Sequence, residues 1–206
     1  MNSKLFQARA QRLRDATVIA IFRTKSSESA VEGMNAAVRG GFEAVEVAMN
    51  TPGATDALAD VAGRIDAIVG AGTILGPEQV KEAYDAGAEF AVTPVVIPEV
   101  VEAAHDLSMP VAIGASTPTE AFNARKAGAD WVKVFPAESL GGPDYVAHLL
   151  SVMQDTPVLV TGGLMAENYL GYLDAGAELA SEGRYDEFER RAIEVTRRLD
   201  MYFTEQ

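Results

Sequence analysis

The sequence predicts a (β/α)8 barrel, and three observations carry that prediction. Four segments repeat one pattern: Gly41-Phe42-Glu43-Ala44-Val45-Glu46-Val47, Gly87-Ala88-Glu89-Phe90-Ala91-Val92-Thr93, Gly128-Ala129-Asp130-Trp131-Val132-Lys133-Val134 and Gly176-Ala177-Glu178-Leu179-Ala180. In each, a glycine closes a helical stretch, and the apolar run behind the acidic residue reads as a strand buried on both faces. The glycines are 46, 41 and 48 residues apart, which leaves room for a further strand between repeats. Second, those intervening strands are present as apolar runs at 17–23, 67–71, 110–114 and 157–161. Third, helix-start residues occupy the gaps. Strict alternation of strand and helix implies a parallel sheet with right-handed crossovers. Eight strands in a chain of 206 residues imply closure into a compact barrel. A doubly wound open sheet is the alternative, but no Gly-x-Gly-x-x-Gly follows the first strand.

Taken in order, residues 1–14 are polar and helix-prone and are expected to pack on the barrel as an extra N-terminal helix. Strand 1 follows at 17–23, and Ser26 caps a helix that runs to about Arg39. The first repeat supplies strand 2 and the run 67–71 strand 3; Gly76-Pro77-Glu78 then opens a helix toward Ala86. Strand 4 is the second repeat, with Ile97-Pro98-Glu99 starting the next helix. Strand 5 at 110–114 precedes Thr117-Pro118-Thr119-Glu120, a capping-box pattern. Strand 6 is the third repeat, strand 7 lies at 157–161, and Met165-Ala166-Glu167 opens another helix. Strand 8 begins at Leu179 and passes through Ser181-Glu182-Gly183 into a helical stretch at 184–199. No linker, low-complexity tract or charge block divides the chain, so residues 1–206 are expected to form one domain.

Composition narrows the function. Hydrophobic residues make up 48%, which fits a globular chain with a substantial core. No apolar run approaches the ~20 residues of a membrane span, and no signal-peptide core is visible, so the chain is expected to be cytoplasmic. A net charge of −13 argues against a nucleic-acid partner, which needs basic surface. Such an acidic surface suits either a salt-rich cytoplasm or an ordinary acidic enzyme. With no cysteine and only His105 and His148, thiolate and histidine-rich metal sites are not expected. Both histidines fall in helical stretches away from the strand ends, in surface or cap positions.

Barrel enzymes carry their chemistry at the C-terminal ends of the strands. Here those ends hold polar or small residues: Arg23, Glu46 to Asn50, Gly72-Thr73, Thr93-Pro94, Gly114 to Thr117, Lys133 to Pro136, and Thr161-Gly162-Gly163. Lys133 is the strongest anomaly, a lysine inside the strand Trp131-Val132-Lys133-Val134. Burying an ammonium costs several kcal/mol, and the usual escape is a lowered pKa that leaves a nucleophilic amine. Glu46 is the second, a carboxylate inside Ala44-Val45-Glu46-Val47-Ala48. It either pairs structurally with Lys133 or Arg23, or acts as a general base beside the amine. Arg23 is either a solvated loop residue or a bidentate ligand for a carboxylate or phosphate. Thr161-Gly162-Gly163 lets backbone N–H groups approach a phosphate at the position barrels commonly use.

Together these segments resemble the family of 2-keto-3-deoxy-6-phosphogluconate aldolases. The resemblance rests on Val45-Glu46-Val47, Gly70-Ala71-Gly72-Thr73, Val92-Thr93-Pro94, Gly114-Ala115-Ser116-Thr117-Pro118, Lys133-Val134-Phe135-Pro136 and Thr161-Gly162-Gly163, in the family's order over residues 18–176. It implies a metal-free, cofactor-free class I aldolase of carbohydrate (Entner–Doudoroff-type) metabolism, a (β/α)8 barrel that usually forms trimers. By resemblance, Lys133 forms a Schiff base with the C2 carbonyl of a phosphorylated 2-keto acid. Glu46 shuttles protons, and pyruvate and glyceraldehyde 3-phosphate leave. Thr73 and Pro94 match positions lining the pyruvate pocket, Phe135 packs beside it, and Thr161, Gly162 and Gly163 match the phosphate end. No nucleic acid or membrane partner is implied.

Two departures stand out. Many gluconate-type members carry Leu-Arg-Thr where this chain has Met49-Asn50-Thr51, which resembles the 6-phosphogalactonate branch. The resemblance implies that Asn50 is a substrate-binding residue at that place and makes Arg23 the natural carboxylate ligand. The family also continues past strand 8 with a Gly-x-Gly-Ser-type turn completing the phosphate site, which is absent here. Strand 8 and its loop are therefore expected to be shortened or incompletely represented, because a barrel does not close comfortably around so short a strand. Other readings are a 4-hydroxy-2-oxoglutarate aldolase, a barrel isomerase using Glu46 as base without covalent catalysis, and a phosphosugar-binding barrel without activity.

Overall fold

The computed structural model describes residues 1–165, 167–182, 197, 198 and 204. Eight parallel strands close into a barrel in the order of the sequence. They are β1 Val18–Phe22, β2 Ala44–Ala48, β3 Ile68–Gly72, β4 Phe90–Val92, β5 Val111–Ala115, β6 Trp131–Val134, β7 Val158–Thr161 and β8 Leu179–Glu182. The helices are α1 Ser3–Ala16, α2 Ser27–Arg39, α3 Ala54–Val61, α4 Pro77–Asp85, α5 Pro98–Asp106, α6 Pro118–Ala127, α7 Gly142–Val152 and α8 Tyr169–Asp174. Among the described residues, no helix is long and apolar enough to cross a membrane.

The expected local causes are visible. Gly41, Gly87, Gly128 and Gly176, the repeat glycines, share φ values of 97° to 99°, a left-handed turn that glycine adopts without a Cβ clash. Ser26 caps α2, and Pro77, Pro98 and Pro118 open α4, α5 and α6. Thr117 and Glu120 form the capping box: Glu120 N–H donates to Thr117 Oγ1 at 3.2 Å, and Thr117 N–H to the Glu120 carboxylate at 2.9 Å. The helix expected from Met165-Ala166-Glu167 starts later, at Tyr169, with residue 166 outside the described residues. Gly183 and the stretch 184–199 also lie outside them, apart from 197 and 198.

For strand 8 the expected difficulty of closure is overturned, while the loop behind it lies outside the described residues. Its four residues pair with β7 (Leu159 with Leu179, Thr161 with Ser181) and with β1 (Val18 with Ala180). Closure needs only a short ladder on each side, because parallel neighbours supply evenly spaced hydrogen bonds. The brevity of strand 8 is therefore no obstacle to a closed barrel.

The period of two along each strand divides the core. One set of side chains, including Ala20, Phe22, Val45, Val47, Val132, Val134 and Val160, packs outward against the helices. The alternate set forms a layer inside the barrel: Ile19, Ala44, Ile68, Phe90, Ala112, Trp131, Leu159 and Leu179. Ala10 and Leu13 of α1 join that layer from below, and the Arg14 guanidinium sits 5.0 Å from the Trp131 ring. Trp131 Nε1 donates to Glu178 at 3.1 Å. The lower end is thus a packed apolar plug. Two residues further along these same strands stand Glu46, Lys133, Thr161 and Ser181. His105, in the last turn of α5, pairs with Asp130 at 3.0 Å just before β6, and His148 is exposed on α7.

Candidate active site

Above the plug, the C-terminal mouth of the barrel holds a cavity of about 430 Å³. Arg23, Glu46, Thr73, Pro94, Lys133, Phe135, Thr161, Gly162 and Gly163 all line it, so nine of the ten residues singled out in the sequence converge there. The tenth, Asn50, lies outside the lining and touches it through Arg23. Ile21, Leu164 and Ser181 also line the cavity, unforeseen from the sequence.

Lys133 is 5% exposed, and its Nζ lies 5.3 Å from the Phe135 ring centroid. Burial pushes its pKa down from the ordinary lysine value; Glu46 opposes that shift and Arg23 adds to it. Glu46 is 2% exposed, and burial pushes its pKa up to about 7 against the attraction of Lys133 and Arg23. Among the described residues nothing donates a hydrogen bond to its buried Oε2. An orphaned carboxylate oxygen facing a cavity is costly in a finished core, and is what a group that exchanges protons with a ligand requires. Gly72 makes room for it: a Cβ there would lie 1.6 Å from Glu46 Oε1.

The rim is held by specific bonds. Arg23 donates from Nε to Asn50 Oδ1 at 3.2 Å and from Nη2 to Thr73 Oγ1 at 3.1 Å. Thr93 Oγ1 accepts from Gly114 N–H at 3.1 Å and donates to the Val95 carbonyl at 2.6 Å, fixing the turn that presents Pro94. Gly114 is bare because a Cβ would meet the Pro94 carbonyl carbon at 2.1 Å. The Thr161 and Ser181 hydroxyls bond to each other, and Ser181 donates onward to the Val160 carbonyl at 3.3 Å.

Gly162 and Gly163 both take positive φ, 97° and 85°. Their loop is anchored by Glu138, whose N–H donates to the Gly162 carbonyl at 3.0 Å. The Glu138 carboxylate in turn accepts from Tyr172 Oη at 2.8 Å and Asn168 Nδ2 at 3.3 Å. Asn168 also donates to the Gly163 carbonyl at 3.1 Å. Nothing in the sequence pointed to this support. Among the described residues, no group of three or more His, Asp or Glu side chains is placed to hold a metal ion.

A closed (β/α)8 barrel with an amine, a carboxylate and a guanidinium gathered at its mouth defines the class: an aldolase barrel. The chain belongs to the KDPG and KHG aldolase family, whose model matches residues 10–190. It is 38% identical over 170 residues to a 2-dehydro-3-deoxy-6-phosphogalactonate aldolase of Escherichia coli (strain K12), covering 81% of this chain and 82% of that one. Among solved structures it is similar to one described as the native KDPGal structure, at a TM-score of 0.82 and 33% identity, covering 91% of this chain and 96% of that one. It is also similar to the KDPG aldolase of Legionella pneumophila, solved with pyruvate captured at low pH as a covalent carbinolamine intermediate (TM-score 0.79, 26% identity, 92% and 95% covered).

Proposed function

We propose that this protein is a class I aldolase that cleaves a 2-keto-3-deoxy-6-phospho sugar acid to pyruvate and glyceraldehyde 3-phosphate through an imine on Lys133. The observation that carries the proposal is the pairing of a buried amine of lowered pKa with a buried carboxylate of raised pKa in one cavity. The neutral Lys133 amine attacks C2, and loss of water from the carbinolamine leaves a protonated imine. Glu46 takes the proton of the C4 hydroxyl as the C3–C4 bond breaks; that bond's electron pair enters the imine, and the aldehyde departs. The resulting enamine regains a proton at C3, and hydrolysis frees pyruvate and restores the amine. A pKa of about 7 suits Glu46 to both halves of this exchange near neutral pH.

Arg23 is the natural ligand for the substrate carboxylate, and the backbone of Gly162 and Gly163 for the phosphate. Met49-Asn50-Thr51 and the 38% identity to a phosphogalactonate aldolase favour the galactonate epimer over the gluconate one. A single cytoplasmic domain acting as a homotrimer, with no nucleic-acid or membrane partner, completes the proposal. Leu75, Val95 and Phe122, large apolar side chains exposed around β3–α6, support self-association, which light scattering would test.

Borohydride trapping with pyruvate tests the reaction. The protein should gain a reduced pyruvate adduct on Lys133, and Lys133→Ala should gain none and release no pyruvate from either epimer. A barrel isomerase or a binding barrel would give no adduct, and near-native turnover by Lys133→Ala would refute the mechanism.

A further inference from the structure

Asn50 stands where the sequence placed a substrate ligand, yet it lies outside the cavity lining and spends its carbonyl oxygen on Arg23 Nε at 3.2 Å. On the other side of the same guanidinium, Thr73 Oγ1 takes Nη2 at 3.1 Å. We infer that Asn50 is a positioning residue: with Thr73 it holds Arg23 at the barrel mouth through neutral acceptors, so that the arginine meets the substrate carboxylate beside Lys133. The inference rests on the aldolase reading above.

Three observations support it. An arginine has several rotatable bonds, and an exposed one holds a single geometry only when fixed bonds repay the lost freedom. Arg23 is exposed, and Asn50 and Thr73, two of its partners, come from the segments that follow β2 and β3, the next two strands around the barrel. Second, Thr73 sits at φ 56°, a left-handed conformation that a β-branched residue adopts only at a cost. That strained residue is the one whose hydroxyl meets Arg23. Third, the acceptor at position 50 is an amide and not a carboxylate. The charged groups acting on Lys133 are Glu46 from β2, which raises its pKa, and Arg23 after β1, which lowers it. Thr73, Phe135, Thr161 and Ser181 around the same cavity carry no charge. A carboxylate at position 50 would offset the field of Arg23 on the amine and compete with the substrate for the guanidinium.

The test compares Asn50→Ala, Asn50→Asp and Thr73→Val with the wild-type protein in pyruvate trapping by borohydride across pH. Asn50→Ala should raise the half-saturating pyruvate concentration roughly tenfold, as loss of a hydrogen bond to a charged group does, with little change in the limiting trapping rate; Thr73→Val, which also alters the cavity wall, should raise it at least as much. Asn50→Asp, close to isosteric, should raise that concentration and also move the pH dependence of trapping to higher pH. If both Asn50 variants keep the wild-type half-saturation and pH midpoint, or lose only thermal stability, the inference is overturned while the aldolase reading stands. A wild-type protein that gains no adduct overturns both.

Discussion

Glu46→Gln separates the stability of this barrel from its chemistry. In the unfolded chain a glutamate ionises near 4.5, whereas in the folded barrel burial holds Glu46 at about 7. The folded protein therefore binds this proton more tightly, so the stabilisation is fully present below pH 4.5 and is lost as the pH rises through about 7. The two values are about 2.5 pH units apart, and each unit is worth about 1.4 kcal/mol, so folding with Glu46 ionised costs on the order of 3 kcal/mol. At 2% exposure, water does not screen that cost away. Glutamine keeps the shape and omits the charge. The variant should gain on the wild type by on the order of 3 kcal/mol between pH 4 and pH 8, about 1 M in urea midpoint, with roughly half of the change complete near pH 6. Urea unfolding followed by fluorescence of Trp131, the single tryptophan, buried in the plug, reads this directly. Taking the difference between the two proteins cancels the titrating groups that Glu46 does not touch; Lys133, whose pKa Glu46 raises, is the one that shifts with the substitution. A gap between them that stays constant from pH 4 to pH 8 would refute the reasoning.

Gly72→Ala should leave the fold intact but force the Glu46 carboxylate aside by about 2 Å, since the new Cβ would lie 1.6 Å from Oε1. A misplacement of that size costs about 100-fold in kcat, and a wild-type kcat would show that the position of the carboxylate does not matter. Gly163→Ala adds a Cβ 2.4 Å from Glu138 Cβ at φ 85°, costing on the order of 1–3 kcal/mol in thermal or urea unfolding. It should raise KM for the phosphorylated substrate while the half-saturating pyruvate in trapping stays unchanged; equal effects on both would disprove a phosphate role for that loop.

Much of this architecture was legible because glycine and proline punctuate it. The repeat glycines share one backbone conformation, and the proline-led starts at Pro77, Pro98 and Pro118 all open helices. The helices between β2 and β3 and between β6 and β7 left less trace. Their caps, Gly53 and Gly141, have positive φ and no side-chain hydrogen bond to the helix, so α3 has no side-chain start signal and α7 only Pro143 in its first turn. Lys133 and Glu46 were visible because a charge inside an apolar strand violates the burial pattern. Ser181 was not, since a serine among alanines breaks no rule. Its place in the cavity depends on its register opposite Thr161, which only the closed barrel supplies. Glu138, Tyr172 and Asn168 were hidden for the same reason: their bonds span up to 34 residues and serve a loop rather than a strand end.

Alternation along the strands accounts for both anomalies at once. A residue two places past the plug on β2 or β6 still points into the barrel, but it now meets the open mouth rather than α1. At that depth water is scarce enough to penalise either charge, and the cavity still admits a ligand. Burial drives Lys133 and Glu46 in opposite directions, each toward its neutral form, while their mutual attraction pulls both back toward the ion pair. Burial is the larger effect on each group, and the attraction keeps both from being locked in the neutral form. Imine formation needs the neutral amine, and C3–C4 cleavage needs the carboxylate, so the proposed chemistry uses both states in turn. A fully solvated pair would be locked as ions, and a pair sunk into the plug would be locked as neutral groups. The layer at which the side chains leave the packed core is thus what makes this site reactive.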